Sequence, residues 1–109
     1  MAQTHKQLAQ SQPAANTDTT VYTVPALTKT LVYSMVVANI ANGSSTFRIH
    51  IVPSGGSVGV DNAIYRNVNV PGKDTFVANI SILIEAGGFI VVRSSDGNCT
   101  FTISGLEIT

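Results

Sequence analysis

The stretch Thr75-Phe76-Val77-Ala78-Asn79-Ile80-Ser81-Ile82-Leu83-Ile84 alternates with a period of two. Phe76, Ala78, Ile80, Ile82 and Ile84 fall on one side, with Asn79 and Ser81 on the other. Successive side chains of a β-strand point to opposite faces, so the pattern predicts a strand with one face in a core. Turn chemistry brackets it. Pro71-Gly72-Lys73-Asp74 precedes it in the Pro-Gly order of a type II turn, and Glu85–Gly88 follows.

The same reading extends to both sides. Strands are predicted over Thr19–Val24 (ended by Pro25), Thr30–Asn39, Thr46–Val52, Ala63–Val70, Phe89–Arg93 and from Cys99 almost to the end. Thr30–Asn39 is apolar on both faces, with Leu31, Tyr33, Met35 and Val37 on one and Val32, Val36 and Ala38 on the other. Such a strand expects cover from the core on one side and from a neighbour on the other. Thr46–Val52 buries Phe47, Ile49 and Ile51 and turns Arg48 and His50 away. Ala63–Val70 alternates Ile64, Val68 and Val70 with an outward set of Tyr65, Asn67 and Asn69. In the last strand Cys99, Phe101 and Ile103 point inward, yet Leu106 and Ile108 are out of phase with them. A β-bulge at Ser104-Gly105 is therefore expected. Short strands with glycine and proline turns, and no convincing helix, predict an all-β fold. It is a single antiparallel β-sandwich of about seven strands, jelly-roll or Ig-like.

The leader reads differently. All four glutamines (Gln3, Gln7, Gln10, Gln12) lie in the first twelve residues, followed by Pro13. Residues 1–18 contain no aromatic or β-branched apolar residue, too little apolar surface to offset the entropy of ordering. Two parts are expected: a flexible N-terminal arm, 1–18, and a β-sandwich domain, 19–109. Fully extended, the arm reaches about 60 Å, against a radius of gyration of about 13 Å for a core of this size. It is long enough to meet a neighbouring subunit, although a tail without a role has the same composition.

Composition narrows the function classes. The chain has 109 residues, enough for one domain, and is 44% apolar but only 11% charged, against roughly 25% in an ordinary soluble domain. Lys+Arg and Asp+Glu each count 6, which argues against a basic nucleic-acid footprint and against an acidic tail. Few charges and zero net charge favour association, and Ser, Thr and Asn cost less to bury at contacts than Lys or Glu. One cysteine makes no internal disulfide. No apolar run nears the roughly 18 residues of a membrane span, and the N-terminus lacks the apolar region of a signal peptide.

No catalytic constellation emerges. His5 lies in the leader and His50 alternates with isoleucines, the pattern of an ordinary surface residue. Cys99 is expected to be a small buried side chain. Asp74 and Asp96 fit turn roles, accepting backbone hydrogen bonds. One Cys and two separated His exclude a structural zinc site, and no calcium-loop spacing is present. Gly55-Gly56-Ser57-Val58-Gly59 has neither the lysine nor the following helix of a phosphate loop. Only Tyr33 and Tyr65 fall off the expected core, which weakens a sugar-stacking function. No catalytic residue, cofactor or metal is expected.

A resemblance adds to this. Leu8-Ala9-Gln10-Ser11-Gln12-Pro13-Ala14-Ala15-Asn16, Val21-Tyr22-Thr23-Val24-Pro25-Ala26, Val36-Val37-Ala38-Asn39, Thr46-Phe47-Arg48-Ile49 and Ser104-Gly105-Leu106-Glu107-Ile108 resemble small structural proteins of tailed bacteriophages. It spans nearly the whole chain through structural motifs. Gly87-Gly88 departs from the Gly-Asp expected there, which touches only a turn. The resemblance implies a single β-sandwich that decorates or cements capsids, or sits in the neck, tail or baseplate. It brings no catalytic residues. The implied partners are other virion proteins, a major capsid protein or tail proteins, and further copies of the chain, often as trimers. No nucleic acid or membrane is expected as partner, and the implied location is the virion, assembled from protein made in a bacterial cytoplasm. A receptor- or glycan-binding module at a virion tip is the alternative. Candidate subunit contacts are Leu8, Gln10, Gln12 and Pro13 in the leader, and Val32 and Val36 on the strand that is apolar on both faces.

Overall fold

A computed structural model describes residues 2–109. It contains eight strands: β1 (Gln3–Ser11), β2 (Thr19–Thr23), β3 (Lys29–Asn39), β4 (Ser45–Val52), β5 (Ala63–Val70), β6 (Thr75–Ile84), β7 (Phe89–Ser94) and β8 (Cys99–Ile108), with a single 3-10 turn at Val60–Asn62. The strands form two antiparallel sheets of order β1-β8-β3-β6 and β2-β7-β4-β5. First pairs with last, second with seventh, third with sixth and fourth with fifth. A long hairpin rolled up on itself gives this pairing, and the fold is a jelly roll rather than an Ig-like sandwich.

The core lies between the sheets. Phe47 sits at its centre, with ring centroids 5.2 Å from Phe76, 5.9 Å from Phe101 and 6.1 Å from Tyr65. Met35, Val37, Ile49, Ile90, Val92 and Ile103 pack around this group. The inward set read from the β6 stretch lines the same core, with Ala78 and Ile84 buried and Phe76, Ile80 and Ile82 packed against it.

The leader corrects an expectation. Residues 3–11 are not a free arm but the edge strand β1, paired with β8 from Gln3↔Ile108 to Ser11↔Phe101. The sandwich therefore begins at Gln3 rather than at Thr19. Backbone hydrogen bonds, which carry no side-chain pattern, hold an edge strand whose side chains stay in solvent. Only Leu8 and Ala9 reach the core. Beyond β1 the chain crosses to the other sheet, where Asn16 N–H donates to the Ser94 carbonyl at 2.8 Å and Gln12 Nε2 to the Gly97 carbonyl at 3.0 Å.

Bulges correct three face assignments. The phase slip expected at Ser104-Gly105 does not occur: β8 alternates evenly through it, which leaves Leu106 on the outer face with Thr102 and Ser104, and the extra residues belong to its neighbours, Leu8 in β1 and Tyr33 in β3. A Cβ on Gly105 would lie 2.6 Å from the Leu31 carbonyl oxygen and 2.7 Å from Leu8 Cδ1. The row has room only for glycine, and the neighbouring strands bend around it. Because Tyr33 bulges, Val32 joins Met35 and Val37 in the core and is fully buried. In β5 an extra residue, Asn67 in the left-handed conformation (φ 54°), reverses the expected alternation. Tyr65 then packs on Phe47 and Phe76, while Ile64 is exposed.

The 71–74 turn is also not as expected. Asp74 N–H bonds to the Pro71 carbonyl, and the left-handed residue is Lys73 (φ 60°), not Gly72. Gly72 is required for another reason: a Cβ there would sit 1.9 Å from the Asn42 carbonyl oxygen.

Candidate functional site: an uncharged sheet face

The outer face of the β1-β8-β3-β6 sheet is built from the residues that alternate with its core set. Its central row runs Gln10–Thr102–Val36–Val77 across the four strands. The next rows are Gln7–Ser104–Ser34–Asn79 and His5–Leu106–Leu31–Leu83, and Thr100–Ala38–Thr75 closes the other end. Among the described residues, none in these four rows carries a formal charge. Val77 is 58% exposed and Leu83 51%. Tyr33 stands at the bulge, its hydroxyl 3.3 Å from His5 Nδ1. A surface of methyl, hydroxyl and amide groups loses little solvation energy when covered, whereas charged side chains would have to be paired or stripped of water.

The six candidate contacts separate on this map. Gln10 and Val36, distant in sequence, lie in one row of the face. Gln12 lies at the end of the sandwich, its amide engaged by Gly97. Leu8, Pro13 and Val32 are buried within the fold, so the expectation that they contact another subunit is corrected. Leu8 covers Gly105, and Val32 is turned inward by the Tyr33 bulge. Val77, Thr102 and Ser104 belong to the face but were not singled out from the sequence. The one available signal was an apolar Val77 in the outward half of the β6 alternation.

His50 is on the outer face of the other sheet, as its alternation says, but it is buried rather than a surface residue (1% exposed). It stands in a row between Ala63 and Val91. Asn62, in the turn at the end of the 53–62 loop, accepts from His50 Nδ1 through Oδ1 at 2.9 Å, and Nε2 has no partner. That loop also borders a hollow of about 620 Å³, where Asp61 is the one ionisable lining residue. Cys99 is buried, and its thiol donates to Ser45 Oγ at 3.4 Å. Among the described residues no three His, Cys, Asp or Glu side chains come together to hold a metal ion. Among the described residues no helix is long and apolar enough to cross a membrane.

Two carboxylates are held by the fold. Asp96 accepts from Ser45 Oγ (2.6 Å) and from the Asn98 N–H (3.0 Å), and chiefly the Ser45 bond holds its carboxyl below the ordinary aspartate value. Glu107 accepts from the Tyr22 hydroxyl and pairs with Lys6 at 3.3 Å, which lowers its pKa, the Tyr22 bond first. Burial, with Glu107 beside it, pushes the Tyr22 phenol up to about 12. These groups fasten turns and strand ends; none faces a cavity with a second acid or base.

No protein-family model matches the sequence, and no curated protein matches it. Among solved structures, a chain in the structure of infectious bursal disease virus Gx strain superposes with a TM-score of 0.57 at 14% identity, covering 97% of this chain and 32% of that one. A chain in the structure of the Gt strain gives 0.46 at 11% identity, over 97% and 28%. This chain thus spans about a third of the virus chains it is similar to. The Gx likeness shows the fold: an all-β sandwich also found in a virus structure.

Proposed function

We propose that this protein is a non-enzymatic structural component of a virus particle, and that the outer face of the β1-β8-β3-β6 sheet is its docking surface. The carrying observation is the run of four uncharged rows around Val36 and Val77. A jelly roll shared with a chain of a virus structure agrees with it, as does the resemblance to small structural proteins of tailed bacteriophages. The finer reading is capsid decoration or cement. The sandwich is a rigid block, and the face packs on further copies of the chain or on a shell protein. Closed symmetry would present the same patch on every copy, a trimer being one such form. Docking by a free leader is replaced by docking of a preformed face that includes β1, so little ordering entropy is lost on assembly.

Val77 points to solvent, so Val77→Lys leaves the fold intact while placing a charge in the central row of the face, at its β6 edge. Sedimentation velocity from micromolar to near-millimolar protein should show the parent chain associating and the variant not. Mass spectrometry of purified particles should find the parent chain in them. A parent chain that is monomeric throughout and absent from the particles would sink the proposal.

A further inference from the structure

The opposite sheet carries a contrasting surface. The chain contains three arginines, Arg48, Arg66 and Arg93. Although they come from β4, β5 and β7, register sets them in a single row, Arg66↔Arg48↔Arg93. Adjacent strands lie about 4.8 Å apart, so three cations follow one another across the sheet. Like charges directly opposite each other are destabilising. Local pairing relieves this only at one end: Asp18 lies 3.6 Å from Arg93, and no carboxylate among the described residues pairs with Arg48 or Arg66. Asn67 Oδ1 instead accepts from Arg48 Nε at 2.8 Å and orients the guanidinium.

The row depends on a bulge. In an unbroken ladder Arg48 would oppose Asn67; the extra residue there brings Arg66 into register. Bulges commonly re-aim a side chain in this way. Beside the row, and reached by Arg48 and Arg93 but not by Arg66, is a small cleft whose other lining residues are Asn16, Thr46, Phe47, Asn67 and Ser95, with no carboxylate among them. With Asp18 counted, three cations leave two positive charges unmatched, which suits an anion of charge −2 better than a single carboxylate.

We infer that the Arg48–Arg66–Arg93 row is a binding site for a multiply charged oxyanion, a phosphate or phosphate monoester, held by guanidinium forks with the Asn16, Thr46 and Ser95 side chains at its edge. Arginine forks match phosphate geometry with paired hydrogen bonds.

The test titrates inorganic phosphate into the folded chain at low salt, following arginine Nε–H and backbone amide resonances by NMR, with chloride at matched ionic strength as control. Saturable shifts centred on the row are expected. Arg66→Gln, a change at an exposed side chain, should weaken binding about tenfold, and Arg48→Gln more. Lys73→Gln, away from the row, should leave it unchanged. Chloride-like shifts, or unchanged affinity in Arg66→Gln with an intact spectrum, would overturn the inference. So would hexaglutamate binding at the row where phosphate does not, since the row would then be a dock for carboxylates.

Discussion

Asp96 shows what one side chain does here. It sits in the Ser94–Asn98 turn and reaches across to Ser45 at the start of β4, tying the β7–β8 turn to the neighbouring strand. Its carboxyl is more acidic folded than in an unfolded chain, whose value is near 3.8. The stability this adds is fully present above that value and is lost as pH falls through it toward the folded pKa. Asp96→Asn should therefore lower the melting temperature at neutral pH, and the gap from the parent should close in acid. A gap of constant size down to pH 2 would show that ionisation of Asp96 is not what matters. The aspartate's turn role was legible in the sequence because Asp at a hairpin end has a local function. The Ser45 bond was not, since it joins residues 51 positions apart.

At the scale of elements, β1 was the least legible part. Seven strands announced themselves through β-branched and aromatic alternation, whereas Gln3–Ser11 offers Leu8 and Ala9 as its only buried side chains. An edge strand is held by the backbone of its neighbour, and backbone leaves no trace in composition. Leu8 marks the place where β1 meets the core: it bulges over Gly105 and is 9% exposed. Leu8→Ala should cost about 2–3 kcal/mol in urea unfolding, and hydrogen exchange should quicken along β1 and the facing side of β8. If residues 1–18 were a free arm, Leu8→Ala would leave both measurements unchanged. The bulges at Leu8, Tyr33 and Asn67 share a lesson. One extra residue inverts every face assignment beyond it, which is why Val32 and Tyr65 were assigned to the wrong side.

The whole molecule presents two unlike surfaces on opposite sides of one core. The β1-β8-β3-β6 face is uncharged over four rows; the β2-β7-β4-β5 face carries all three arginines in one row. Salt should separate them. Association through the first face should hold or strengthen as sodium chloride rises from 50 to about 500 mM, because burial of uncharged surface is not screened. Phosphate binding at the arginine row should weaken over the same range. Parallel loss of both, followed by sedimentation and NMR, would mean that association also runs through charge. The docking face was only half visible in the sequence: low charge and the apolar character of β3 pointed to Val36, while nothing local connected it to Gln10 or Val77.

By itself the sequence determined an all-β fold, seven of its eight strands and a surface poor in charge. Side-chain periodicity, turn residues and composition are local quantities, and each can be read without knowing what lies across the sheet. The tertiary structure alone decided that the polar leader is the eighth strand and that the sandwich is a jelly roll. It also decided which residues share a row. Those outcomes depend on backbone pairing and on bulges between distant strands, where one added residue moves a side chain from core to surface.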